Sequence, residues 1–178
     1  MKETKIISAY PCCGKTYAFE NYQDIYSILD SWIYRERTDD ELQKIKEDLE
    51  SMLSPINADK EFERVRHEKI KERNPNFPNN YIEHIKENIG KVDYIFVSSH
   101  LVVRQALEST GIKYFTIYPE IDLLDEWVGR MYRRGNDKSF IDFQIKHWNE
   151  FVNGIDAEPH GKSVRRLKSG QHIIDAMF

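Results

Sequence analysis

The sequence predicts an α/β protein in which the strands of a parallel sheet alternate with helices. Short apolar segments of the kind that form buried strands occur at residues 4–9, 25–29, 92–100 and 113–119. Segments with helical spacing of apolar residues lie between them, which is the pattern of parallel strands joined by crossover helices. With 178 residues, of which 40% are hydrophobic, the chain suits a single domain spanning residues 1–178.

Capping residues, glycines and prolines mark where the predicted elements begin and end. Thr38 and Glu41 form a capping box at the start of one helix, and Gly90 and Gly111 end two others. The segment "NPNFPNN" interrupts any regular element with its two prolines. A fifth short strand is predicted at 163–167. The predicted helices span, in chain order, residues 16–22, 38–53, 58–73, 80–89, 101–110, 120–133 and 138–152.

The composition and net charge of the chain limit the classes of partner that it is expected to bind. The net charge is -4, whereas proteins that hold long nucleic acids by their general field are usually basic. No segment approaches the roughly 18 apolar residues of a membrane span, and no secretory signal is evident. The only two cysteines, Cys12 and Cys13, are adjacent and poorly placed to form a disulfide. We therefore expect a reduced, cytoplasmic protein, with neither a membrane nor a long nucleic acid as its partner.

The stretch "IISAYPCCGKTYAFENY" has the three parts of a phosphate-binding loop. An apolar strand delivers the chain, a tight turn follows, and a helix begins near Lys15 and Thr16. In such a loop the lysine reaches the terminal phosphates and the hydroxyl binds Mg²⁺. Two positions that often carry glycine are Ala9 and Cys12 here, and neither change removes a ligand. The alternative, a plain strand-to-helix turn, stays open because Gly-Lys-Thr alone is a common tripeptide.

Three segments, "AYPCCGKT", "NPNFPNNYIEHIKENIGKVDYIFVSSH" and "RGNDKSFI", resemble the P-loop nucleotide kinases of the nucleoside monophosphate kinase type. The similarity is greatest to small phage-encoded adenylate kinase-like ATP-binding proteins, and it covers residues 4–31 and about 73–178. This resemblance implies a three-layer P-loop NTPase fold with a five-stranded parallel sheet of order 2-3-1-4-5. It also implies ATP and Mg²⁺ as cofactors, a helical insertion over 32–73 on the acceptor side, and an arginine-bearing lid over 120–140.

The same resemblance assigns roles to individual residues. Asp30, at the end of the second strand, would act on the acceptor and hold the metal with Thr16, although Trp32 stands where a second acid is common. His100 and Arg104 would bind the acceptor, with local capping and pairing as the open alternative. The residues expected to contact the nucleotide are Pro11, Cys12, Cys13, Gly14, Lys15, Thr16 and Tyr17.

Arginines in "RMYRRGND" are the candidates for stabilising a transferred phosphoryl group, whose charge spreads over several oxygens. Arg130 and Arg134 are four residues apart and share a helix face. With Lys15 and Asp30 they complete the predicted catalytic set, and Arg133 is a further candidate. A solvated helix face opposite Asp125 and Glu126 is the open alternative.

Together these features predict an ATP-dependent phosphotransferase, a kinase whose acceptor is a small-molecule nucleotide, in particular a (deoxy)nucleoside monophosphate. A polynucleotide 5′-end kinase, a nucleoside kinase and a non-catalytic nucleotide-binding or sequestering protein are the alternatives. A homodimer is left open.

Overall fold

The fold is taken from a computed structural model that describes residues 2–28, 33–68, 70, 72–157 and 163–177. By contacts between Cα atoms the chain divides into two compact units. The first contains residues 1–29 and 82–178, and the second contains residues 30–81. Their union in one kinase-like domain stays a prediction.

The first unit is built on a five-stranded sheet, and every neighbouring pair of strands is parallel. Its order, β2-β3-β1-β4-β5, confirms the α/β class and the strand order that the resemblance implied. The strands are β1 (Lys5–Ala9), β2 (Ile25–Ser27), β3 (Tyr94–Val97), β4 (Tyr114–Pro119) and β5 (Val164–Leu167).

Strand β1 is the central strand, and Ile6 is paired with Ile95 on one side and Tyr114 on the other. Strand β3 is shorter than the predicted 92–100 because its pairing with β1 ends at Val97, and Ser98 to His100 leave the ladder. Ile7, Phe96 and the other central residues are fully buried. Burial on both faces explains their near-continuous apolar sequence.

Eight α-helices lie within the described residues, and several boundaries differ from the prediction. They are α1 (Lys15–Asn21), α2 (Asp39–Met52), α3 (Pro55–Val65), α4 (Asn79–Asn88), α5 (Leu101–Ser109), α6 (Leu124–Arg133), α7 (Lys138–Lys146) and α8 (Trp148–Gly154). Short 3₁₀ segments occur at Ile121–Leu123, Ile155–Ala157 and Ile173–Ala176.

Two helix predictions were wrong in their bounds. The helix predicted at 58–73 begins earlier, with Pro55 in its first turn, where proline's missing N–H costs no hydrogen bond. It ends at Val65. The helix predicted at 138–152 is broken at His147 into α7 and α8. Just after this break Trp148 is buried, and its indole N–H donates to Ile121 O at 2.8 Å.

Helix α6 is an integral part of the core of the first unit. Trp127 and Met131 are both fully buried, and they share one apolar cluster with Tyr10 and Trp148. The indole N–H of Trp127 donates to Pro11 O at 2.8 Å, which joins this helix to the segment after β1. Burying a large side chain stabilises a fold by about 1.5–3 kcal/mol, so α6 is firmly anchored. Any mobile lid within 120–140 is therefore confined to the turn that follows α6.

The second unit is dominated by the helices α2 and α3, which pack against each other. The predicted capping box is present, since Glu41 N donates to Thr38 Oγ1 and Thr38 N donates to the Glu41 carboxylate. Arg35 donates to the carboxylates of Glu41 and Glu72. The hydrogen bonds that Glu41 accepts, chiefly from Arg35 and next from the Thr38 backbone, lower its pKa to about 2. No helix of the described chain is long and apolar enough to cross a membrane.

Replacing Thr38 by alanine should lower the free energy of unfolding of the second unit by about 1 kcal/mol, because the first turn of α2 loses its cap. Thr38→Ser keeps the hydroxyl and should stay within a few tenths of a kcal/mol of the parent. Urea denaturation followed by circular dichroism measures both variants. Equal losses in the two variants would contradict a capping role for this hydroxyl.

Candidate functional site

The segment after β1 forms a tight loop that leads directly into α1. Tyr10 N donates to Ile117 O at 3.0 Å and keeps the chain at the sheet edge. Cys12 has φ 63 and Gly14 has φ 95, so both lie in the left-handed region. Ala9 is fully buried inside the strand, and among described non-glycine residues positive φ occurs only at Cys12 and Asp24. The alanine is therefore compatible with the loop, whereas the cysteine occupies a position that favours glycine.

Gly14 is required for its left-handed backbone angle, and the side chain of His172 lies directly above it. A Cβ atom at this position would lie 3.4 Å from Cδ2 of His172. The tail is also fixed to the loop by a hydrogen bond from Ile173 N to Cys13 O at 2.7 Å. The 3₁₀ segment at Ile173–Ala176 is therefore a wall of the loop.

Lys15, the first residue of α1, folds back over the loop. Its Nζ donates to Ala9 O at 2.5 Å and to Tyr10 O at 3.4 Å. The ammonium group is thus held beside the turn, at a position from which it can reach a bound anion. Thr16 follows it on the helix and is exposed.

A cavity of about 780 Å³ opens above this loop, within the first unit. Its size falls in the range of ordinary small-molecule sites. Among the described lining residues, four side chains are cationic, those of Lys15, Arg130, Arg133 and Arg134, and one, Asp175, carries a carboxylate. The described residues that line it are Cys12, Cys13, Gly14, Lys15, Thr16, Tyr17, Tyr22, Arg130, Arg133, Arg134, His172, Ile174 and Asp175.

Arg130 is the most constrained of these cations, because its side chain is only 7% exposed. Its Nη2 donates to Glu126 Oε1 at 2.6 Å and to Gln171 O at 2.7 Å, and its guanidinium carbon lies 4.1 Å from the centre of the Trp127 ring. Its Nη1 is buried and has no hydrogen-bond partner among the described residues. A buried guanidinium N–H without a partner is costly, and an anion in the cavity would satisfy it.

Glu126 holds this arginine and the turn after β5 together. Its carboxylate also accepts hydrogen bonds from Ser169 Oγ at 2.8 Å and from Gly170 N at 3.1 Å. Burial alone would raise the pKa of Glu126, but the bonds from Ser169, Arg130 and Gly170 outweigh it and hold the pKa below its usual range. The carboxylate therefore stays ionised and fixes the position of Arg130.

The two cysteines have different environments. Cys13 is buried, its Sγ lies 3.8 Å from Ile117 O, and burial raises its pKa to about 12. Its thiol is therefore inert near neutral pH. Cys12 is half-buried and lines the cavity.

Most residues predicted to form the site come together in this cavity. Of the predicted set, Cys12, Cys13, Gly14, Lys15, Thr16, Tyr17, Arg130 and Arg134 line it. Pro11 does not line it, but its carbonyl accepts the hydrogen bond from Trp127. Asp30, predicted for catalysis and the metal, and Trp32 lie outside the described residues. Among the described residues no group of three or more His, Cys, Asp or Glu side chains could hold a metal ion.

His100 and Arg104 do not line this cavity. Arg104 is 6% exposed, and its Nη1 donates to Ser99 O and to the Tyr118 hydroxyl. His100 precedes α5, and its Nδ1 is hydrogen-bonded to Ser98 Oγ. These contacts favour local pairing, and an acceptor-binding role stays a prediction.

Sequence reasoning missed Glu126 as a positioning residue and missed the tail from Gln171 to Asp175. The spacing of Glu126 and Arg130, four residues apart on a helix, could have indicated their ion pair. The tail follows β5, and the carboxyl ends of parallel strands meet at one edge of a sheet. The predicted sheet order could therefore have brought it to the loop.

Comparison of the chain with protein families, with curated proteins and with solved structures finds no match. The geometry of the cavity is therefore the basis for any statement about function.

Cys12→Gly should be more stable than Cys12→Ala by about 1 kcal/mol, because only glycine adopts positive φ without a steric penalty. Both variants remove the same side-chain contacts, so their difference isolates the backbone effect. Chemical denaturation of the two proteins measures it. A glycine variant no more stable than the alanine variant would contradict the left-handed conformation at Cys12.

Proposed function

We propose that this protein is an ATP-dependent phosphotransferase that acts on a small nucleotide. The observation that carries the proposal is the cavity above the loop, where four cationic side chains converge and no described group accepts a hydrogen bond from Arg130 Nη1. The chain as a whole has a net charge of -4, so this positive cavity runs against the general charge of the protein. A polyphosphate is the chemistry that best satisfies such a cluster, because each guanidinium can donate to its oxygens.

In this proposal Lys15 would hold the β- and γ-phosphates, and the loop would supply backbone N–H groups to the same oxygens. Arg130 would donate its unsatisfied N–H to the polyphosphate. Thr16 would hold Mg²⁺ together with the phosphates and Asp30. When bound, the ion would neutralise charge on the β- and γ-oxygens. Tyr17 and Tyr22 give the cavity two aromatic side chains beside its charged residues.

Arg133 and Arg134 would stabilise the charge that develops on the transferred phosphoryl group. Both are exposed, and Arg134 begins the turn that joins α6 to α7. They can move toward a ligand, whereas Arg130 is fixed. The acceptor would lie toward His100 and Arg104.

The finer fold assignment belongs to the same proposal. The parallel sheet of order 2-3-1-4-5 is compatible with a three-layer P-loop NTPase fold. Helices α2 and α3 would form the acceptor-side insertion at 32–73, and the turn after α6 would be the moving part of the lid at 120–140. Because ATP is a cytoplasmic metabolite, the proposal includes a cytoplasmic location.

One observation favours a second candidate, a protein that binds nucleotides without turning them over. Helix α6 is packed into the core, so little of the 120–140 segment is free to close over ATP and exclude water. The decisive experiment incubates the protein with ATP and Mg²⁺ and a panel of nucleoside monophosphates, nucleosides and oligonucleotide 5′ ends. New phosphate on a monophosphate supports the proposal, and new phosphate on another acceptor supports a nucleoside or polynucleotide kinase. ATP binding without any transfer supports the second candidate.

Lys15→Ala should weaken ATP binding by about 10- to 100-fold, because a hydrogen bond to a charged group contributes about 1.5–3 kcal/mol. Isothermal titration calorimetry measures the affinity. The exposed Lys113 lies outside the cavity lining, so Lys113→Ala is the matched control and should leave the affinity unchanged. Unchanged ATP affinity in a folded Lys15→Ala protein would contradict the assignment of the loop.

Arg134→Ala should lower kcat by a factor on the order of 10²–10⁵ if this residue acts as an arginine finger, with a much smaller effect on ATP affinity. Arg134→Lys keeps the charge but loses the two-pronged donor, so it should recover only part of the rate. Arg133 receives the same pair of substitutions. Full kcat in both alanine variants would show that neither arginine takes part in catalysis.

A further inference from the structure

Cys12 is in a conformation that a side chain normally avoids. Its φ of 63 lies in the left-handed region, where a Cβ atom crowds the following carbonyl oxygen. Non-glycine residues held in this way are concentrated at functional sites, where the rest of the fold maintains them. The fold maintains this one through the buried Ala9 before it and through the bond from Ile173 N to Cys13 O after it.

The Cys12 thiol is the chemically available one of the two in the chain. It is half-buried and lines the cavity, and its thiol donates a long hydrogen bond to Asn136 Oδ1, at 3.9 Å. Cys13 is fully buried with a pKa of about 12, which leaves its thiol protonated and out of reach. A thiol-directed reagent should therefore modify one residue only.

The cationic side chains around Cys12 favour a thiol-directed reagent that carries negative charge. Lys15, Arg133 and Arg134 line the same cavity. Arg130 lines it too, with a side chain only 7% exposed and an Nη1 that no described group satisfies. This orphaned donor is an independent sign that the cavity takes an anion. Clustered charge of one sign in a cleft raises the local concentration of oppositely charged solutes.

We propose that Cys12 is a covalent modification site that undergoes thiol–disulfide exchange with anionic disulfides such as glutathione disulfide. In this proposal the resulting adduct blocks the cavity above the loop. The blocking effect rests on the proposed nucleotide-binding function, whereas the exchange itself does not.

The exchange balances without any further reactant. The Cys12 sulfur, after losing its proton, attacks one sulfur of the disulfide, and a new S–S bond forms as the old one breaks. The leaving glutathione thiolate takes up the proton, so Cys12 is oxidised and one half of the disulfide is reduced. Excess reduced thiol reverses the step and restores the loop. The adduct carries carboxylates, which pair with the arginines that would otherwise hold phosphates.

The test measures the rate of adduct formation on the full-length protein by intact-mass spectrometry. Glutathione disulfide is compared with neutral 2-hydroxyethyl disulfide, and each rate is divided by the rate of N-acetylcysteine amide with the same reagent. The proposal expects a single adduct and a preference of about 10-fold or more for the anionic disulfide, which falls in concentrated salt. Cys12→Ser should form no adduct. Arg133→Ala should lower the ratio of the anionic rate to the neutral rate, whereas Lys113→Ala, an exposed residue outside the cavity lining, should leave both rates unchanged.

A second measurement separates this proposal from the proposed function. ATP affinity is measured on the unmodified protein, on the adduct, and on the adduct after reduction. Loss of binding in the adduct and its return on reduction support the proposal. If the unmodified protein binds ATP but the adduct binds it equally well, or the exchange shows no anionic preference, the modification proposal is wrong and nucleotide binding by the cavity is unaffected. If the unmodified protein does not bind ATP, the proposed function is wrong. The preference for the anionic disulfide then shows by itself whether Cys12 is the modification site.

Discussion

The central strand β1 is hydrogen-bonded to β3 on one side and to β4 on the other, and the site depends on this constraint. A strand paired on both sides cannot shift, so the chain leaves the sheet at a fixed point after Ala9. Because all the strands are parallel, the segment after β5 reaches the same edge. The loop and the tail from Gln171 to Asp175 meet there, and His172 lies over Gly14. The topology thus builds the cavity from segments that are far apart in the sequence.

The cationic side chains of that cavity differ in how firmly they are held. Glu126 neutralises part of the charge of Arg130 and fixes its orientation, yet Nη1 has no partner in the part of the chain that the structure describes. Groups that are held in place before a ligand arrives lose little entropy when it binds, so a fixed arginine can contribute more than a mobile one. Arg133 and Arg134 are exposed, so their side chains are less constrained than that of Arg130. The cavity therefore combines one fixed arginine with two that can change conformation.

The sequence predicted more of the fold than of the site. Apolar runs located β1 to β4, because buried parallel strands need nearly continuous hydrophobic sequence. Strand β5 was also predicted, although its sequence contains Arg165 and Arg166. The sequence prediction misplaced the ends of α3 and missed the break at His147, since these depend on tertiary packing such as the burial of Trp148. The Gly-Lys-Thr motif located the loop. Only the folded chain shows that Arg130 is fixed and that no described group accepts a hydrogen bond from its Nη1. The contribution of the tail could not be derived from local pattern because short 3₁₀ segments have little periodicity.

The central claim is that a nucleoside triphosphate occupies the cavity above the loop. The most direct measurement is a backbone amide NMR titration with a non-hydrolysable ATP analogue and Mg²⁺. The account predicts saturable shifts at the amides of Cys12, Gly14 and Thr16, with accompanying shifts at His172 in the tail. Saturable shifts confined to residues outside this cavity, or no shifts at millimolar analogue, would contradict it.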